Sequence, residues 1–142
     1  MFVDQFGLCW WYVQSTGQLL HVDPNGYADY AANGYAGYGA GLNNPAWQNV
    51  KGEPPDPSGP LPEGHYNIGP QQDYVTSKGK TLYGAMYLTP SKGTNMYNRG
   101  GFLIHGPHRN DNHDSSNGCP IFGKPTRDKV AASGDTCLKV VP

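Results

Sequence analysis

Glycine and proline punctuate this chain so densely, 20 and 13 times in 142 residues, that long helices have almost nowhere to form. Proline removes a backbone donor and clashes with the preceding turn, and glycine loses the most conformational freedom on ordering. Short strands joined by turns remain. The apolar runs fit that frame. Residues 8–13 (Leu-Cys-Trp-Trp-Tyr-Val) and 18–22 are rich in strand formers, and Ser15-Thr16-Gly17 between them predicts a hairpin. Asp23-Pro24-Asn25-Gly26 supplies a second turn. Residues 64–68, 82–89 and 101–105 read as further strands, and 138–141 as a closing one. One helix is predicted over 125–133, opened by Pro125 or Thr126 and ended by Gly134.

Two stretches lack a regular period. Residues 27–44 are rich in glycine and alanine, with Tyr27, Tyr30, Tyr35 and Tyr38 irregularly spaced. They read as a flexible loop in preference to an aromatic wall for a ligand. Residues 43–62 are proline-rich and read as extended loop. The predicted fold is therefore mainly β: a single sandwich- or barrel-like domain over 1–142, with one short helix after Cys119.

Composition excludes several function classes. A net charge of -1, with 15% charged residues, argues against a nucleic-acid partner. No apolar run approaches the ~18 residues of a membrane span. The opening Met1-Phe2-Val3-Asp4-Gln5-Phe6-Gly7 lacks the basic region and apolar core of a secretory signal, so export by that route is not expected.

Chemistry concentrates between His105 and Cys119. The apolar run Phe102-Leu103-Ile104 ends in His105-Gly106, and one loop later comes Ser115-Ser116-Asn117-Gly118-Cys119. An imidazole can take the proton of a thiol and make it a strong nucleophile. Glycine before the cysteine lets the backbone turn sharply, so that adjacent N–H groups can face an oxyanion. Other uses of the same residues stay open at this point. Cys119 can be a buried apolar residue, or pair with Cys9 or Cys137. His105, His108, His113 and Cys119, with Asp111 and Asp114, can hold a metal, although no Cys-x-x-Cys is present. Three cysteines leave at least one unpaired, and a Cys9–Cys137 disulfide would leave Cys119.

Taken together, Ile104-His105-Gly106 and Ser115 to Cys119 resemble the His-Gly … Ser/Thr-His-Gly-Cys core of the YkuD-like L,D-transpeptidases. Leu61-Pro62-Glu63-Gly64-His65-Tyr66-Asn67-Ile68 is similar to that family's Pro-x-Gly-x-aromatic-x-Ile strand, and Met96-Tyr97 to its lead into the His-Gly strand. Trp11-Tyr12-x-x-Ser15-Thr16-Gly17-x-Leu19, Asn43-Asn44-Pro45 and Ser133-Gly134-Asp135 more narrowly resemble the small L,D-transpeptidase-like effectors of type VI secretion systems.

That resemblance implies a cysteine peptidoglycan enzyme acting on stem peptides through a thioester. Water as acceptor would give L,D-carboxypeptidase action, and an amine would give transpeptidation or D-amino-acid exchange. It implies Cys119 as nucleophile, His105 as base, the Gly106 carbonyl as orienter of the ring, and the Gly118 and Cys119 N–H groups as oxyanion donors. Ser116, Asn117 and Tyr97 lie in the matching segments and are expected at the substrate. Arg127, the only basic residue in the first turn of the predicted helix, either holds a substrate carboxylate or is a solvated surface charge. The resemblance implies no cofactor and no metal.

Two departures stand out: Asn117 occupies the position of a family histidine and cannot titrate, and Pro120 removes an N–H next to the cysteine. A catalytically weak or inert peptidoglycan-binding module on the same fold is the alternative. A papain-like hydrolase is disfavoured because its nucleophile precedes its histidine. The expected life history is synthesis in the bacterial cytoplasm, transfer by a secretion-apparatus component, and action in a target-cell periplasm. A cognate immunity protein is expected to cover Cys119 and the tyrosine-rich 27–44 region.

Overall fold

The computed structural model describes residues 9–53, 55–107 and 116–142. Seven strands form one mixed sheet: β1 (Cys9–Val13), β2 (Gln18–Val22), β3 (Ala28–Asn33), β4 (Gly64–Val75), β5 (Thr81–Pro90), β6 (Leu103–Ile104) and β7 (Cys137–Val141). One α-helix, α1 (Lys124–Ser133), follows Cys119. The spatial order is β3-β2-β1-β7-β4-β5-β6. Every neighbouring pair is antiparallel except β1 with β7. The mainly-β reading holds.

Alternation explains the central strands. In β1, β2 and β7 every second residue is buried, as a sheet with one face on a core requires. Trp10, Tyr12, Leu19, Leu138 and Val140 supply that face, and Tyr66, Ile68, Met86, Leu88 and Ile104 continue it across β4, β5 and β6. Cys9 faces Cys137 across the parallel β1–β7 pair, and the two form a disulfide. Val130 is the buried residue of α1. Polar bonds also dock this helix: Trp10 Nε1 donates to Ser133 Oγ at 3.1 Å, and Gln71 Nε2 to Asp128 Oδ1 at 2.9 Å.

The structure corrects the reading of 27–44 as a flexible loop. Ala28–Asn33 is the edge strand β3, paired with β2. Tyr35 is only 5% exposed, and a 3-10 turn follows at Gly39–Gly41. Small residues hide this strand from a hydrophobic pattern, because β3 buries none of its side chains fully. The helix begins at Lys124, with Pro125 in its first turn, and ends at a left-handed Gly134 (φ 74°). Among the described residues no helix is long and apolar enough to cross a membrane.

Two isolated bridges bring the edges of the sheet together. Ile121 pairs in parallel with His105, just past β6, and antiparallel with Tyr35, just past β3. The segment after Cys119 therefore acts as a stave between the two ends, giving the sheet a barrel-like closure. The candidate site is built on that stave.

Candidate active site

Backbone pairing fixes where His105 and Cys119 lie. The His105 N–H donates to the Pro120 carbonyl at 3.2 Å, and the Phe122 N–H donates to the His105 carbonyl at 3.0 Å. Two residues before His105, the Leu103 N–H donates to Cys119 Sγ at 3.4 Å. The sulfur thus lies against the strand that ends in His105. His105 is buried, and its Nδ1 sits 2.9 Å from the Gly106 carbonyl oxygen. A carbonyl only accepts, so Nδ1 carries the hydrogen, and in the neutral ring Nε2 presents its lone pair.

The turn before the cysteine is organised by Ser116. Its buried hydroxyl accepts from the Gly37 N–H at 3.0 Å and the Gly118 N–H at 2.9 Å, and donates to the Cys119 carbonyl at 2.7 Å. Two expectations change here. Ser116, expected at the substrate, spends its hydroxyl on backbone. The Gly118 N–H, expected to face an oxyanion, points at Ser116. Proline has no N–H at position 120, so after Gly118 the only backbone donor before Ile121 is that of Cys119. Asn117 has an exposed side chain.

Sequence reasoning missed Arg99. Its side chain is 7% exposed and binds four carbonyl oxygens. Nη1 donates to Gln48 at 2.6 Å and Pro60 at 2.8 Å; Nη2 donates to Gly59 and Asn117, each at 3.0 Å. The guanidinium lies 5.1 Å from the Phe102 ring centroid. Gly118 has φ 128°, and a Cβ there would stand 2.5 Å from Arg99 Nη2. Glycine is required by both the backbone angle and the arginine. The available sequence signal was an arginine directly before a glycine pair and an apolar strand.

Burial dominates the electrostatics of the sulfur. It pushes the Cys119 thiol up to about 11, against the downward pull of the Leu103 N–H and the Arg99 charge. At neutral pH the resting group is a thiol.

Arg127 follows neither sequence reading closely. It donates from Nε to the Phe122 carbonyl at 3.0 Å, and from Nη1 to Tyr83 at 2.5 Å and Gly84 at 3.2 Å. A Cβ on Gly106 would lie 2.9 Å from its Nη2. The guanidinium thus braces the backbone behind His105, tying α1 to β5. Tyr97 is exposed on the loop between β5 and β6, in a left-handed conformation (φ 51°). His108, His113, Asp111 and Asp114 lie outside the described residues.

What the fold and this constellation define is a small mainly-β domain whose closing stave carries a free cysteine beside a histidine strand. The profile of the Tlde1 domain matches residues 30–138, most of the chain, and the protein belongs to that family of type VI secretion effector-related domains. No curated protein matches it.

Proposed function

We propose that the domain is a cysteine enzyme that acts on peptidoglycan stem peptides, delivered by type VI secretion to the periplasm of a target cell. The observation that carries this reading is the His105 Nδ1–Gly106 contact of 2.9 Å, on a strand paired with the segment that bears Cys119. It holds the ring in the tautomer a base needs. His105 Nε2 takes the Cys119 proton as the sulfur attacks a peptide carbonyl. The tetrahedral oxyanion faces the Cys119 N–H. Collapse breaks the C–N bond, the leaving amine takes the proton from His105, and a thioester remains. Water resolves it to a carboxylate, or a second amine resolves it to a new peptide. Asn117 and Tyr97, both exposed, line the approach to the substrate.

The raised thiol favours proton transfer during attack over a thiolate–imidazolium pair at rest. The same burial supports the alternative of a weak or inert wall-binding module. Incubation with purified muropeptides followed by mass analysis separates the two. Loss of one terminal residue or its exchange supports the enzyme, with Cys119→Ala and His105→Ala each inactive. Unchanged muropeptides, or turnover surviving in Cys119→Ala, refute it. In cells, the wild-type chain fused to a periplasmic signal should be toxic and Cys119→Ala harmless.

An immunity protein that occludes Cys119 fits an effector of this family. Within the 27–44 region expected to meet it, Tyr35 is buried and Tyr38 half-buried, while Tyr27 is exposed. Among the described residues the exposed aromatics are Tyr27, Tyr83, Tyr87 and Tyr97.

A further inference from the structure

Arg99 is the one lysine or arginine side chain buried among the described residues. A buried guanidinium ordinarily pairs with a carboxylate, because burying a charge alone is unfavourable. Among the described residues Arg99 has no such partner; the ion pairs there are His21 with Asp29 and Asp135, and Lys124 with Asp128. Its Nε is buried without a hydrogen-bond partner. Four neutral carbonyls and a phenyl face hold the charge instead. The chain also bends sharply to deliver it. Tyr97 and Asn98 both adopt left-handed backbone (φ 51° and 60°), and the Arg99 N–H closes the turn onto the Met96 carbonyl at 2.8 Å. Left-handed tyrosine is uncommon and persists where surrounding structure enforces it.

The guanidinium ends at the cysteine turn. One of its bonds takes the Asn117 carbonyl, and its Nη2 fills the space beside Gly118. The Gly118 carbonyl in turn accepts from the Leu61 N–H at 2.9 Å, so both peptide units before Cys119 are held.

We propose that Arg99 is the positioning residue of Cys119: it locks the 117–119 turn and keeps a buried positive charge beside the sulfur for the moment it becomes anionic. The role rests on the reading of Cys119 as nucleophile. Mutual attraction between the two groups, opposed by the desolvation of each, agrees with it.

The test reads the alkylation rate of Cys119 by iodoacetamide at pH 9, below the thiol midpoint, where thiolate population outweighs nucleophilicity in setting the rate. Removing an adjacent cation lifts a thiol by about one unit; about tenfold less thiolate, partly offset by its greater nucleophilicity, means Arg99→Met should react about three- to fourfold more slowly than wild type. A purely structural arginine predicts the opposite sign, because a loosened turn would admit water and speed alkylation. Equal or faster reaction in a cooperatively folded Arg99→Met therefore overturns the proposal. Should that variant not fold, Arg99→Lys and Arg99→Gln decide it: both can donate to the carbonyls, and only lysine keeps the charge. Glutamine slower than lysine supports the proposal, and equal rates overturn it. With muropeptides, Arg99→Met should lower kcat and leave KM nearly unchanged. Wild-type inactivity on muropeptides would remove the substrate assignment and leave the alkylation result to judge Arg99 on its own.

Discussion

The resting state of Cys119 can be measured directly, because the other two cysteines are joined to each other and only one thiol reacts. The perturbation is pH, and the comparison is a small reference thiol. Burial raises the Cys119 thiol from an ordinary 9.0 to about 11. Two units mean about 100-fold less thiolate at neutral pH than in the reference. A more basic thiolate is also a better nucleophile. With a Brønsted slope of roughly 0.4–0.5, two units return about six- to tenfold. Population wins over nucleophilicity, and the net rate should be roughly 10–16-fold below the reference at pH 7. Iodoacetamide kinetics followed by intact mass should show this suppression and a midpoint near 11. The thermodynamic counterpart has a definite sign. A thiol raised on folding adds stability that is complete below pH 9 and is lost as pH climbs through about 11. Two units correspond to about 3 kcal/mol, and Cys119→Ala should erase this part of the alkaline destabilisation. A midpoint at or below 8, with alkylation faster than the reference at pH 7, would refute the reasoning. It would mean a preformed thiolate–imidazolium pair.

Two further outcomes follow from packing. Gly118→Ala places a Cβ 2.5 Å from Arg99 Nη2 and 2.7 Å from Phe102 Cε1, at a φ of 128°; chemical denaturation should show a loss of about 2–4 kcal/mol, and a loss under 1 kcal/mol would contradict the described turn. Reducing the Cys9–Cys137 bridge, which spans 128 residues, should cost about 4–5 kcal/mol by chain entropy; an unchanged denaturation midpoint under reductant would argue against the bridge.

Elements were legible where a single local rule decided them. Residues 8–13 and 18–22 are runs of strand formers on either side of a turn, and Cys9–Val13 and Gln18–Val22 pair as β1 and β2. The helix ended at Gly134 because only a left-handed residue closes it there. Where two rules competed, the sequence misled. Gly69-Pro70 looks like a stop after residue 68, yet β4 runs on to Val75. Its pairing with β5 shifts register between Ile68 and Gln71, so the proline falls where the ladder is interrupted. At the other end, residues 101–105 shrank to Leu103–Ile104 because His105 leaves β5 to pair with Ile121.

The candidate site divides along the same line. His105, Gly106 and Cys119 were readable because their chemistry depends on residue type and order, which the chain displays. The surroundings depend on contacts between distant segments, and these reverse some local expectations. A serine beside a cysteine suggests substrate, yet Gly37, some 79 residues away, turns its hydroxyl inward. The sequence neighbours of Arg99 do not foretell its partners, yet carbonyls of Gln48, Gly59 and Pro60, 39 to 51 residues away, hold its guanidinium. Those carbonyls belong to the proline-rich stretch that looked like featureless loop. Irregular backbone leaves acceptors unspent by any ladder, and a buried cation is one of few groups that can satisfy several at once. The same glycine and proline content that forbids long helices thus provides the seat for the charge beside Cys119.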